Sequence, residues 1–575
     1  MYSYTDFDRQ FVHARAAQFR DQLERNLAGT LTEEEFRPLR LQNGWYVQRH
    51  APMLRVAVPY GALSSRQLRQ MAAIARDFDR GYAHFSTRQN LQYNWIPLDQ
   101  AADVMDRLAA VDLHGIQTSG NCIRNTTSDA FAGVATDEIV DPRPYAEVLR
   151  QWTTLHPEFA FLPRKFKIAI SGALEDRAAI AWHDIGLQLL KNAAGEVGFK
   201  VLVGGGMGRT PVIGQVINEF LPWQQILVYI EAIVRVYNRY GRRDNAYKAR
   251  IKILVKAEGQ KFFDAVATEF QQILQHDVDG REHIIPQAEL DRVAACFRPP
   301  ADAQSVPAVD IFAGVEAGPF KRWLERNVHT HAVSGYRAVT LSLKRSGIAP
   351  GDATDAQMDA AADLADRFSA GELRVSHDQN LVLAWVKESD LPALFEAARS
   401  NGFATPNIGL LTDMIACPGG DFCALANARS IPIAQAITER FEDLDELYDI
   451  GDIDLHISGC INSCGHHHSG HIGILGVDKD GREWYQVSLG GSDGATLSGS
   501  AQAGRVIGPS FAADEVPDVI ESVVKTYRSQ RLSQETFIDT VRRIGIEPFK
   551  APANAVRTLT GAAAASNTAT NAASH

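Results

Sequence analysis

The stretch STRQNLQYNWI, residues 86–96, returns as SHDQNLVLAWV, residues 376–386, with Gln89 and Gln379 in register 290 positions apart. Each copy follows an Ala- and Asp-rich amphipathic pattern, SSRQLRQMAAIARDF or TDAQMDAAADLADRF, and precedes another, AADVMDRLAAV or LPALFEAARSN. Alternation beside helical periodicity predicts strand, helix, strand, helix in each half. Two more blocks match in the same order: KIAISG ending at Gly172 with DLHISG ending at Gly459, and KVLVGG ending at Gly205 with QVSLGG ending at Gly491, at offsets of 287 and 286. A nearly constant offset along the chain marks a duplication. It predicts an α+β protein with pseudo-twofold symmetry, in which a site forms between the halves.

The full 575 residues exceed what one hydrophobic core serves. Residues 1–45 read as a charged helical extension. Two smaller segments, 46–120 and 326–400, carry the repeated block, and each precedes a larger α+β segment, 121–284 and 401–550. Between the halves, 285–325 reads as a connector, because Pro286, Pro299, Pro300 and Pro307 resist regular structure. The tail 551–575 is mostly Ala, Thr, Ser and Asn, which predicts disorder. No apolar run approaches the roughly 18 residues of a membrane span, and the charged N-terminus has no apolar signal core, so a cytoplasmic location is expected. A net charge of -11 argues against nucleic acid as a partner.

Four of the six cysteines form two close pairs, Cys417-x5-Cys423 and Cys460-x3-Cys464, while Cys122 and Cys296 stand alone. In a cytoplasmic protein such pairs read as metal ligands rather than disulfides. Four thiolates suit zinc or an iron–sulfur cluster. The five-residue gap is less usual for structural zinc, whereas a four-iron cube takes one thiolate per iron and tolerates longer loops. Glycines 419, 420, 459 and 465 flank the pairs and suit loops lying close to a cofactor.

These residues, with the blocks CPGGDFCALANARSIP and GCINSCGHHHSGHIGILG, resemble the sirohaem-dependent nitrite and sulfite reductases, over about residues 45–545. The likeness is strongest to bacterial assimilatory sulfite reductase haemoproteins. It implies ferredoxin-like half-domains plus two larger α+β domains. It also implies a 4Fe–4S cluster on Cys417, Cys423, Cys460 and Cys464, with Cys464 bridging to the sirohaem iron. The family usually places an acidic residue seven positions after the last cysteine, where this chain has His471.

Sulfite and nitrite are small anions and sirohaem carries eight carboxylates, so both demand clustered cations. The resemblance assigns Arg88, Arg143, Lys165 and Lys167 to the substrate. Alternation on a strand would point the two lysines into one pocket. By the same resemblance the basic stretch 238–256 offers Arg242, Arg243, Asn245, Lys248 and Arg250 to the sirohaem carboxylates, and it reads equally as an amphipathic, solvated helix or a docking patch for an acidic electron donor. Arg124 and Asn125 are further cofactor candidates. Cys122 lies near the haem or is merely packed, and Cys296 reads as a small buried side chain. The histidines 466, 467, 468 and 471 read as hydrogen-bond donors near the cluster rather than a separate metal site. The glycine run 204–208 lacks both nucleotide fingerprints and reads as close approach to a planar cofactor.

The implied reaction is six-electron reduction of sulfite to sulfide or of nitrite to ammonia. No flavin or NADPH motif is recognisable, so the electrons come from a partner, ferredoxin or a flavoprotein subunit. Two alternatives stand beside it: a related precorrin oxygenase, and a non-catalytic protein whose cysteines hold structural zinc.

Overall fold

The computed structural model describes residues 1–276, 283–301, 303–495 and 499–557. It divides into two compact units. One holds residues 1–206, 212–343 and 352–406, and the other holds 207–211, 344–351 and the chain from 407 onward.

The first unit begins with helices Asp6–Leu27 and Glu33–Gln42, each opened by a reciprocal cap, Thr5 with Asp8 and Thr32 with Glu35. The repeated segments then build two five-stranded sheets that exchange a strand. In the first sheet the order is Trp45–Val47, Pro52–Val56, Leu91–Tyr93, Tyr82–Phe85, and finally Asp352–Thr354 from the second half. The second sheet runs Val328–His329, Tyr336–Leu341, Leu381–Lys387, Glu372–Val375, and is completed by Ala62–Ser64 from the first half. Both borrowed strands pair antiparallel, with Asp352 opposite His84 and Glu372 opposite Ser64. Each leads into a helix, Ser65–Phe78 or Asp355–Phe368, opened by equivalent caps, Ser64 with Gln67 and Thr354 with Gln357. The exchange covers one edge of each sheet and merges both halves into one apolar core, in which Met71, Ile74, Met358, Leu373 and Leu383 are buried together.

A third sheet in this unit orders Thr127–Ser128, Ile168–Ser171, Ile185–Lys191, Val197–Val203 and Gln215–Pro222. The first three strands are parallel and the last two antiparallel. The second unit repeats this plan with Ile415–Ala416, Leu455–Ser458, Ile472–Lys479, Arg482–Leu489 and Arg505–Val506. The duplication therefore extends to sheet order and strand direction.

Two expectations change. The proline-rich stretch contains the helix Gln287–Ala294, because Pro286 sits just before it, where a missing N–H costs nothing. Residues 551–557 of the tail are helical, and Ala553 and Val556, three apart, are buried in the second unit's core. The remainder, 558–575, lies outside the described residues. Among the described residues, no helix is long and apolar enough to cross a membrane.

Candidate functional site

In the second unit, Ile415–Ala416 and Leu455–Ser458 are parallel neighbours, so both chains leave the sheet at the same edge. Cys417 follows the first strand directly, and Cys460 lies one residue beyond Ser458–Gly459. The carboxyl edge of parallel strands is where such folds hold ligands. Backbone bonds lock the loops together: Cys417 N–H donates to the Ile457 carbonyl at 3.2 Å, and Gly459 N–H donates to the Cys417 sulfur at 3.2 Å. Gly465 must lack a side chain, because a Cβ there would stand 2.0 Å from the Ile457 carbonyl oxygen.

All four thiols are free of disulfides, Cys460 being buried and Cys464 exposed. Burial, then the neighbouring Cys464, push the Cys417 thiol up to about 12. Burial also raises Cys460, with Cys464 and Cys423 adding to the effect. Clustered thiols that resist ionisation call for a cation to share their negative charge, which is what a metal or cluster supplies.

The histidines after Cys464 go to different partners. His468 Nε2 lies 2.9 Å from the Gly208 carbonyl, and His471 Nδ1 accepts from Asp454 N–H at 3.2 Å. His467 Nδ1 meets Ser463 Oγ at 3.1 Å, while among the described residues its buried Nε2 has no hydrogen-bond partner. An orphaned ring nitrogen three residues from Cys464 fits an acceptor supplied by a bound group.

In the first unit, residues 122–124 pair with 165–167. Arg124 N–H donates to the Phe166 carbonyl at 2.7 Å, and Phe166 N–H to the Cys122 carbonyl at 3.1 Å. Phe166 is buried while Lys165 and Lys167 on either side are half-buried, so the two ammonium-bearing chains leave on one face. Arg124 reaches the carbonyls of Thr118 and Gly120 at 2.6 and 2.7 Å. Burial, Arg124, Arg250 and Arg55 pull the Arg88 guanidinium down to about 9, against Asp184. Burial would raise the Tyr46 phenol, yet Arg124, Arg55 and Lys165 carry it below its ordinary value. Burial and Arg250 lower Lys252 to about 8. Arg55, Arg88, Arg124, Lys165, Arg250 and Lys252 thus feel one another as a cationic cluster whose repulsion an anion would relieve.

Arg143 stands elsewhere. It is buried against Asp141, with Nη2 at 2.7 Å from Oδ2, and against Glu372 at 3.7 Å, and it also donates to the Phe297 carbonyl. Burial would raise Glu372, and Arg374 and Arg143 instead carry it down to about 2. A guanidinium spent on two carboxylates has little charge left for a substrate, and Arg124 occupies the place beside the lysines that Arg143 was expected to fill.

The cofactor candidates also separate. Arg250 is bound to Asp184 at 2.7 Å and Arg242 is paired with Asp244. Arg243 donates to the Phe161 carbonyl and the Asn238 side chain, Asn245 accepts from Tyr247 N–H, and Lys248 is exposed. Asn125 is buried, its amide spanning the Val58 carbonyl and Asn90. The glycine run is explained by the chain itself: a Cβ on Gly205 would meet the Ala181 carbonyl at 2.3 Å. Cys296 is half-buried, and its carbonyl accepts from the N-terminal ammonium at 2.9 Å. Cys122 is half-buried, its thiol raised by burial.

Sequence reasoning missed His183. Its Nε2 lies 2.6 Å from Arg88 Nη1, and its neighbour Asp184 binds both Arg250 and the Lys167 N–H. The His-Asp pair was visible, but its arginine partners, Arg88 and Arg250, lie 95 and 66 residues away.

Family comparison agrees with this geometry. The model described as "Nitrite and sulphite reductase 4Fe-4S domain" matches residues 119–274 and 410–556, and that of the "Nitrite/Sulfite reductase ferredoxin-like half domain" matches 46–111 and 334–401. A protein of Mycolicibacterium paratuberculosis named sulfite reductase (ferredoxin) 1 is 27% identical over 510 residues, covering 87% of this chain and 83% of that one. An assimilatory ferredoxin-dependent nitrite reductase of Haloferax mediterranei is 28% identical, covering 86% and 82%. The solved structure of the Mycobacterium tuberculosis NirA protein superposes with a TM-score of 0.74 at 26% identity, covering 92% of this chain and 94% of that one. With duplicated half-domains and a four-cysteine iron–sulfur domain in the matched positions, the chain belongs to the nitrite and sulphite reductase family.

Proposed function

We propose that this chain is an assimilatory sulfite reductase that converts sulfite to sulfide with six electrons drawn from ferredoxin, using a sirohaem coupled to a 4Fe–4S cluster. The observation that carries the reading is the cationic cluster around Arg88, where Arg124, Arg250 and Arg55 act against the counter-charge of Asp184. Such a cluster suits a polyanionic macrocycle and a small oxyanion.

In this account Cys417, Cys423, Cys460 and Cys464 would hold the cluster, Cys464 being the exposed thiol among them. The macrocycle and cluster, when bound, supply the redox chemistry. Arg88, Arg124, Lys165 and Lys167 bind the anion's oxygens, hold its charge out of bulk water and present N–H protons where oxygen leaves. Asn125 positions Arg88, since its carbonyl accepts from Nη2 at 2.6 Å. Arg243 and Lys248, with Arg242, Asn245 and Arg250 on the same loop, are offered to the macrocycle's carboxylates.

Nitrite is the second reading, because relatives named for nitrite and for sulfite match at nearly the same identity, 28% and 27%. Metal and pigment analysis of the purified protein tests the cofactor assignment. About five irons per chain, four acid-labile sulfides and an acid-extractable isobacteriochlorin pigment are expected. Zinc without labile sulfide would overturn it.

A further inference from the structure

We infer that His183 is a positioning residue for Arg88: a neutral acceptor that fixes the guanidinium without cancelling its charge. The inference rests on the assignment of Arg88 to the anion.

Five other buried or mostly buried arginines, Arg40, Arg143, Arg150, Arg250 and Arg374, each hold a carboxylate at 2.7 Å or closer. Arg88 does not. Its Nη1 donates to Thr127 Oγ1 at 2.8 Å and approaches His183 Nε2 at 2.6 Å, and its Nη2 donates to the carbonyls of Asn125 and Ile168 at 2.6 and 3.4 Å. Every one of these acceptors is uncharged, and among the described residues Nε–H is the donor left over.

The state of His183 follows from two bonds. A guanidinium only donates, so Nε2 must accept. At the other side of the ring Nδ1 lies 2.8 Å from the Ala179 carbonyl, which only accepts, so Nδ1 must carry the proton. Both demands select the same neutral tautomer. The ring is 2% exposed, and burial, with Arg88 and Lys167 beyond it, disfavours the imidazolium.

The backbone is shaped to deliver this ring. Ala179 takes a left-handed φ of +51° and starts the tight turn Ile180–Trp182, with Asp176 accepting the Ile180 N–H at 2.9 Å. The next residue, Asp184, is the acid that position 183 avoids. It is spent on Arg250 and on the Lys167 N–H at 2.9 Å. Histidine therefore steers Arg88, while the adjacent carboxylate steers Arg250 and the lysine strand.

The test is anion affinity of the holoenzyme, read from absorbance changes on sulfite titration, with KM and kcat measured beside it and cofactor content determined for each variant. His183→Leu removes the acceptor and is expected to weaken affinity by about tenfold or more. His183→Gln, whose amide oxygen reaches the place of Nε2, should return to within about threefold of wild type. His183→Glu keeps an acceptor but adds the charge, and should weaken binding as Leu does. Arg88→Met is the reference. If it leaves affinity unchanged, the role given to Arg88 fails. If it weakens affinity while the His183 variants bind like wild type, the present inference alone fails. A Glu variant as tight as Gln also overturns it, and that comparison stands even where Leu does not fold.

Discussion

Gln89 and Gln379, 290 residues apart, each donate a side-chain amide across the duplication to the other half. Gln89 Nε2 reaches the Val375 carbonyl at 2.9 Å, and Gln379 Nε2 reaches the Phe85 carbonyl at 2.9 Å, where Phe85 and Val375 are themselves equivalent. Both glutamines adopt left-handed backbone, φ +58° and +61°, which turns their side chains toward the partner strand. Gln89 further clamps Ser128, donating to its carbonyl and accepting its N–H at 2.8 and 2.9 Å.

Replacing either glutamine by leucine should therefore destabilise the first unit. The lost bonds leave buried backbone groups unpaired, at a cost of about 3 kcal/mol per site. Chemical denaturation read by tryptophan fluorescence checks this for both variants, and midpoints equal to wild type would contradict it.

Arg88 and Arg143 should separate by phenotype. Arg88→Met is expected to raise KM for the anion by an order of magnitude or more with a modest loss of stability. Arg143→Met leaves Glu372 and Asp141 short of a partner and should cost about 3–5 kcal/mol of stability, with KM near wild type in the protein that folds. Steady-state kinetics paired with denaturation distinguishes the two.

Glu372 gives stability a specific pH dependence. Its folded pKa of about 2 lies below the ordinary 4.5. Its contribution is thus fully present above 4.5 and is lost as pH falls toward 2, a total on the order of 3 kcal/mol. Glu372→Gln should flatten that limb of the stability profile, measured by denaturant midpoint from pH 6 downward.

The cysteines proposed to hold the cluster should differ from their neighbours. Serine at 417, 423 or 460 should abolish labile sulfide, whereas His468→Gln should retain it, since that ring bonds the Gly208 carbonyl. Sulfide assay and electron paramagnetic resonance of the reduced protein check both.

Much of this architecture was legible because the duplication printed itself in short blocks. The Gln-Asn pair and the paired cysteines are local signals, and the amphipathic patterns beside the repeated block map to the helices Ser65–Phe78 and Asp355–Phe368. Strand exchange was not legible. The strand Ala62–Ser64 is three residues long, and nothing in those three residues says that its partner is Glu372–Arg374. The placement of Arg143 was not legible for the same reason. Arg143 and Arg124 carry equal charge, and only pairing of 122–124 with 165–167 reveals which of them stands by the lysines. The Asp two places before Arg143 was the available warning, since it ties the guanidinium locally.

The most direct test of the central claim is kcat/KM for sulfite and for nitrite with purified holoenzyme and reduced methyl viologen, quantifying sulfide and ammonium. A clear preference for sulfite, with six electrons consumed per sulfide, is the expected result. A clear preference for nitrite would move the substrate assignment, and no turnover of either anion by protein carrying intact sirohaem and cluster would contradict the account.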